Sequence, residues 1–378
     1  VSRILTGDYD MPFASLENWE NWENWENWEN WENWENWENW ENWENWEGGG
    51  RKGGGGLLSA ALAAAGEGIT GPFNPAFVRN VALGTHTPTD LFTAAPSAHL
   101  SLMLTRALGG PIATAHDNGA AVVSSNGEII ASIVTPNDIE PFKAQLNRVH
   151  QDSDLRRDRN AEILIQMNDL LSFYSASVRL DPRRRAWTIK LMLTALEAAT
   201  PTIVQVKAIC AVPRPNDLSP QINPVIKTPG HSAYPSGHAT QAFLLAEILS
   251  ALDPSAAPIS RRQAARIAQN RTVAGVHYPV DSRVGALLGS ALAHQFMGRL
   301  DPSRIESGKS WTAVSVQAPD TSDANYDFNL LTLDGQHGNT LAALRNADPA
   351  GPAANDYDRA LLDELWSRVQ SEWPGLST

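Results

Sequence analysis

From Glu140 to Met297 the apolar residues recur at three- and four-residue intervals, the spacing that stacks side chains on one face of an α-helix. The pattern runs through Glu140–Arg148, Arg159–Val178, Arg183–Cys210, His238–Leu252, Arg261–Val273 and Asp281–Met297, with Pro and Gly between the segments. A last helix, about Tyr357–Trp373, places Leu362, Leu365, Trp366, Val369 and Trp373 on one face. That face suits docking on a bundle, with a subunit contact as the lesser option. One segment breaks the period: Ala121–Val134 alternates around Asn126-Gly127, a two-residue hairpin signal. The expected fold is therefore mainly α, a helical bundle with a small β-hairpin near 121–134. Residues 300–356 read as loop-rich.

The N-terminal part obeys no such pattern. Ten consecutive Glu-Asn-Trp triplets run from Glu17 to Trp46, followed by Glu47 and the glycine-rich stretch Gly48–Gly56. A three-residue step on an α-helix turns ~300°, so the tryptophans would spiral around the surface without forming a stripe. An aromatic interaction ladder is conceivable, but a repeat expansion or disordered arm is the simpler reading. Residues 1–56 are thus expected to form a low-complexity arm without a catalytic role. Residues 57–378 would form one helical catalytic domain, its ordered part beginning near Gly71.

The arm also distorts the charge. The formal net charge is −13, but residues 17–47 carry eleven glutamates and no Lys or Arg, and the remainder sums to −2. No basic face is indicated, so a nucleic-acid partner is not expected. Cys210 is the only cysteine, which rules out an intramolecular disulfide and a cysteine-rich metal site. No apolar run reaches the ~18 residues of a bilayer span, and no leader is visible. The chain reads as soluble, either cytoplasmic or exported with its signal already removed.

Three clusters carry the chemistry. Lys207 is followed after six residues by Arg214-Pro215; then comes Pro235-Ser236-Gly237-His238; then Arg271, His277 and Asp281. Lys207, Arg214 and Arg271 would supply three positive charges, two of them planar forks suited to a tetrahedral oxyanion. Such charges are buried together only at great cost unless an anion compensates them. Ser236 and Gly237 precede a helix whose N-terminal N–H groups add donors for the same anion. His277 and Asp281, four residues apart, share a helical face or meet across a turn. A carboxylate on one imidazole nitrogen would leave the other as ligand or nucleophile. His238 is then the acid–base group.

Taken together, this set resembles the signature of the type 2 phosphatidic-acid phosphatase and vanadium haloperoxidase superfamily: K-x6-R-P, P-S-G-H and S-R-x5-H-x3-D. The resemblance covers Lys207–Asp281, about one fifth of the chain. Asn270 departs from it, standing where the family usually has serine. The resemblance implies a bundle of the haloperoxidase and acid phosphatase type. In its phosphatases the residue matching His277 attacks phosphorus, oriented by Asp281, and His238 protonates the leaving group. In its haloperoxidases His277 would be the axial ligand of vanadate, held also by Lys207, Arg214, Ser236, the Gly237 N–H and Arg271. His238 would then take a proton from hydrogen peroxide, and Lys207 would polarise the peroxide.

The lack of membrane spans argues against the integral lipid phosphatases of the family. The segment His231–His238 resembles the bromoperoxidase form, which has a histidine where chloroperoxidases have phenylalanine. His231 would then tune the peroxide site; a surface loop histidine is the alternative. Vanadate-dependent oxidation of bromide or iodide by hydrogen peroxide, with a small organic acceptor, is the expected activity. A soluble acid phosphatase, with phosphate as substrate and no cofactor, is the alternative, and a non-catalytic oxyanion-binding assembly protein a more remote one. A homo-oligomer is compatible with either. His86, His99, His116, His150, His294 and His337 read as surface or core residues, Arg183-Arg184-Arg185 as the start of a solvated helix, and Cys210 as packing inside the helix that carries Lys207.

Overall fold

The computed structural model describes residues 64, 87–116, 120–125, 128–136, 138–302, 314–317, 328 and 355–373. The repeat arm, the expected boundary at 56/57, the start near Gly71, the Asn126-Gly127 turn, His86 and His337 lie outside the described residues. The chain divides into two compact units, Val1–Ala98 and His99–Thr378. The first contributes a 3₁₀ turn, Pro88–Asp90, and a helical turn, Leu91–Ala94.

The described fold is mainly helical. Its elements are α1 (Ser97–Leu108, whose first two residues close the first unit), β1 (Ile112–His116), β2 (Ala120–Ser125), β3 (Glu128–Val134), α2 (Glu140–Asp152), α3 (Arg156–Gln166), α4 (Leu171–Val178), α5 (Ala186–Cys210), α6 (Gly237–Leu252), α7 (Ala257–Val273), α8 (Pro279–Leu300), β4 (Val314–Gln317) and α9 (Asp356–Ser371). The β2–β3 pair is the expected hairpin, with a bulge at Val123/Ser124. It is part of a larger sheet of order β1-β2-β3-β4, in which β1 adds antiparallel and β4 parallel. The four residues of β4, Val-Ser-Val-Gln, do alternate, over a short run, while β1, Ile-Ala-Thr-Ala-His, does not alternate along its whole length. Helix α1 lies outside the helices expected from the sequence, although Leu100, Leu104, Ala107 and Leu108 share one buried face at helical spacing.

Three helices form the centre. α5 is buried on nearly all sides over its first four turns, and α6 and α8 are buried along most of their lengths. α8 reaches α6 through two glycines. A Cβ on Gly289 would overlap the Thr240 carbonyl oxygen, and one on Gly285 would lie 2.6 Å from the Ser236 carbonyl oxygen. Four residues apart on one face, they let the two backbones touch at the N-terminal end of α6. Tyr174 Oη ties α4 to α6 by donating to the Ala242 carbonyl at 2.6 Å, and Arg261 grips Glu247 with two bonds of 3.0 and 2.8 Å.

Three expectations need correction. The continuous helix over Arg159–Val178 is two helices. Asn168 and Asp169 break it, and Asp169 Oδ1 accepts the Ser172 N–H at 2.9 Å, competing with the helical ladder. The run Arg183–Arg185 precedes α5 instead of starting it, and Arg185 stacks 3.5 Å from the Trp373 ring centroid. The helical stretch Ala186–Leu218 is long and apolar enough to cross a membrane by length and composition, contrary to the sequence reading. Of its most apolar window 61% is buried against the rest of the fold, as in the core helix of a globular domain.

Docking of α9 follows the expected face. Leu362, Leu365, Trp366, Val369 and Trp373 are all buried. Just beyond it Glu372 accepts from the Trp187 and Thr188 N–H groups at 2.7 and 2.8 Å, capping the N-terminus of α5 with a carboxylate. Trp373 Nε1 donates to Thr188 Oγ1 at 2.8 Å.

Candidate oxyanion site

Each cluster sits at a helix end. Lys207 occupies the last turn of α5, which Ala211 closes in the left-handed conformation. Arg214 begins the single helical turn Pro215–Leu218, where Asp217 accepts the Arg214 N–H at 2.8 Å. Ser236 caps α6, its hydroxyl accepting the Ala239 N–H at 3.3 Å. Arg271 lies in the last turn of α7. The chain then reverses at Gly275, whose φ of +83° disfavours any side chain, and delivers His277 just ahead of α8.

His277 and Asp281 meet across the N-terminus of α8. Asp281 Oδ2 accepts from His277 Nδ1 at 2.8 Å and from the Tyr278 N–H at 3.0 Å. Arg214 Nη1 donates to His277 Nε2 at 3.0 Å. An arginine can only donate, so Nε2 carries the lone pair and Nδ1 the proton. The tautomer is fixed from both sides.

Arg214 is held at every nitrogen. Nε donates to the His231 carbonyl at 3.1 Å, Nη1 also to the Val276 carbonyl at 2.9 Å, and Nη2 to His231 Nδ1 at 3.1 Å. His231 Nδ1 is therefore an acceptor, and its 3.2 Å approach to the Ser232 carbonyl is proximity without a proton between them. Lys207 Nζ donates to the Ser232 and Ala233 carbonyls at 2.9 and 3.3 Å. Gly237 lies against the Lys207 stem: a Cβ there would be 3.5 Å from Lys207 Cε. The Ser236 N–H donates to the Asp281 carbonyl at 3.0 Å, joining the start of α6 to the start of α8.

Behind these groups, α2 acts as a brace. The Phe142 ring lies between Tyr234 and Tyr278, at centroid distances of 6.0 and 5.2 Å, and Gln145 Oε1 accepts the Val280 N–H at 3.0 Å.

Lys207, Arg214, Arg271, His277 and Asp281 are all buried. Burial lowers Arg214 and Arg271 to about 10, and burial with the Arg214 charge holds Lys207 well below the usual lysine range. Burial and the surrounding cations push His238 and His277 well below 6.5, so both are neutral near pH 7. Burial, then Lys207 and Arg214, lower His231 to about 4, although one edge of that residue is exposed and water shields it there. Burial raises Asp281 to about 7, against the pull of the Tyr278 N–H, Lys207 and Arg214.

Arg271 decides what such a site can hold. Its Nη2 donates to the Ile163 carbonyl and to Gln166 Oε1, both at 3.2 Å, while Nε and Nη1 are buried without a partner. Unpartnered guanidinium N–H groups beside further buried cations call for an anion with several acceptor oxygens. Vanadate and phosphate both meet that need. A bare metal cation does not, and among the described residues no group of three or more His, Cys, Asp or Glu side chains could hold one.

The structure thus brings Lys207, Arg214, His231, Ser236, Gly237, His277 and Asp281 into direct contact with one another. Arg271 is near enough for its charge to act on both His238 and His277, and His238 lies near His277. His99, His116 and His150 are exposed and take no part, and Cys210 is buried in α5 as expected. Gln166 was not anticipated. It ends α3 and accepts Arg271 through its side chain, and its main-chain carbonyl lies close enough to the His238 ring to favour the charged form. No motif marks it, because a lone glutamine at a helix end carries no spacing signal.

Residues 186–301 match the family model described as the PAP2 superfamily, whose members are phosphatases or haloperoxidases. The match spans α5 to α8 and contains every residue of the site except Gln166. A search of curated proteins finds no match.

Proposed function

We propose that this chain binds vanadate and oxidises halide with hydrogen peroxide, favouring bromide or iodide over chloride. The observation that carries the proposal is the fixed His277 tautomer, with its Nε2 lone pair set among three buried cations. Nε2 would ligate vanadium; Lys207, Arg214, Arg271, Ser236 and the Gly237 N–H would hold the oxygens. When bound, vanadate supplies activation of hydrogen peroxide for a two-electron oxidation. In the net reaction halide gives up two electrons, the peroxide O–O bond accepts them, one proton is consumed, and hypohalous acid and water form.

His238 supports this reading. Burial and the nearby cations hold its imidazole neutral, so a ring nitrogen is a base ready to take a proton from hydrogen peroxide. His231 supports the halide preference, since it touches Arg214 directly.

The same His277 lone pair is also a competent nucleophile, which favours hydrolysis of phosphate monoesters as a second reading. Nε2 would form the N–P bond as the ester P–O bond breaks; His238, protonated from solvent once the bound anion offsets the nearby cations, would give its proton to the leaving oxygen, and water would then cleave the phosphohistidine. Assaying the full chain with and without orthovanadate, for bromination under peroxide and for phosphate monoester hydrolysis, separates the two. Bromination only with orthovanadate is expected. Monoester hydrolysis without bromination under any loading would overturn the proposal.

A further inference from the structure

Gln166 stands outside every motif of this chain, yet it is completely buried against Arg271. Its Oε1 accepts Arg271 Nη2 at 3.2 Å and Asn270 Nδ2 at 2.9 Å. Its main-chain carbonyl lies beside the His238 ring. One residue therefore holds the arginine that is offered to the anion and stands next to the acid–base histidine. Two donors on Oε1 also fix the orientation of the amide: the other arm must be Nε2. That Nε2 is buried with no partner, on the same side chain that grips an arginine whose Nε and Nη1 are likewise unpartnered.

Asn270 reinforces the arrangement. It is buried, donates to Glu162 Oε2 at 3.1 Å as well as to Gln166, and accepts from Arg159 Nη1 at 2.9 Å. Serine at this position could not span α7 to α3 in three directions. The departure from the family pattern at Asn270 is thus the part that orients Gln166.

We propose that Gln166 is a further oxyanion-site residue of this chain. Its side-chain carbonyl positions Arg271, and its Nε2 donates to the same tetrahedral anion. This rests on the reading of the site as an oxyanion site, and holds for vanadate or phosphate alike.

The test is the dissociation constant of the full chain for orthovanadate, and separately for inorganic phosphate, alongside the melting temperature. Gln166→Met removes both functions at similar volume, and a ~10–100-fold weaker affinity is expected, the range for lost hydrogen bonds to a charged group. Gln166→Glu keeps the acceptors for Arg271 and Asn270 but replaces the donor with a negative oxygen. It is expected to keep the melting temperature and still lose at least tenfold in affinity, a split that a purely structural glutamine would not give. Gln295→Met, at a glutamine buried in α8 with no partner, should leave affinity unchanged. A folded Gln166→Glu variant that binds orthovanadate as tightly as the wild type would overturn the role of Gln166 alone. Failure of the wild type to bind either anion would overturn the oxyanion site and this inference with it.

Discussion

His277 donates its Nδ1 proton to Asp281 Oδ2 at 2.8 Å, and this bond sets which face of the imidazole is reactive. The carboxylate does so while also capping α8 through the Tyr278 N–H, so orientation of the histidine and initiation of the helix are one interaction. In Asp281→Asn the amide oxygen can take the place of Oδ2 and accept from both His277 Nδ1 and the Tyr278 N–H, so the tautomer survives while the negative charge that supports the imidazole is lost. We expect about a 10–100-fold loss of activity with little change in melting temperature, and more complete loss in His277→Ala. Steady-state kinetics of both variants check this, and full activity in Asp281→Asn would rule out a role for the carboxylate charge.

His238→Ala should cost ~10²–10⁴-fold in turnover, the usual range for a positioned acid–base group. Oxyanion affinity should change far less, because His238 is not among the groups proposed to hold the anion. Comparable losses in turnover and affinity would mean that His238 binds and does not transfer the proton.

His231→Phe keeps a ring but removes the acceptor that faces Arg214 Nη2 at 3.1 Å. The variant is expected to retain bromide oxidation while shifting its pH profile or its ratio of bromide to chloride turnover. Halide competition assays across pH read this out. If both profile and ratio stayed unchanged, His231 would be a bystander and the hydrolytic reading would gain.

The site also predicts how stability responds to pH. His231, His238 and His277 all have folded-state values below 6.5, so below that pH the unfolded chain binds protons that the folded chain refuses. Asp281 works the other way: raised to about 7, it holds a proton between about 4 and 7 that the unfolded chain has lost. Three groups against one leave the unfolded state binding more protons as pH falls through 6.5. Without added oxyanion, the melting temperature should therefore drop between pH 7 and 5, and His238→Leu should flatten the drop. Differential scanning calorimetry over this range measures it; a melting temperature that rises on acidification would contradict the assignment.

Gly289→Val tests the frame that carries the site. Its side chain would overlap the Thr240 carbonyl and push α8 off α6, at a cost of ~1–3 kcal/mol by overpacking, or more if the backbones separate. Because α8 presents Asp281, activity should fall along with stability. Chemical denaturation gives the first quantity, and unaltered stability would show that the close contact is dispensable.

The sequence by itself determined the helical class, most helix spans within a few residues, the docking face of α9, and the residue types of the site. Those features are local: helical periodicity, turn residues and fixed spacings such as His277 to Asp281 are written along the chain. It also exposed the dissimilar character of the Glu-Asn-Trp arm. What tertiary structure alone decided is every relation between distant segments. The break at Asn168-Asp169 came from a side chain competing for the helical ladder, while apolar spacing alone ran through it. Strand β1 adds to the sheet because a hairpin edge accepts a partner, and β4, although its four residues alternate, carries nothing that names β3 as its neighbour. Most of all, Gln166 reaches Arg271 and His238 from more than seventy residues away in sequence. A hydrogen bond of that kind depends on how α3 packs against α7 and on the orientation of one amide, and neither leaves a period or a motif in the sequence.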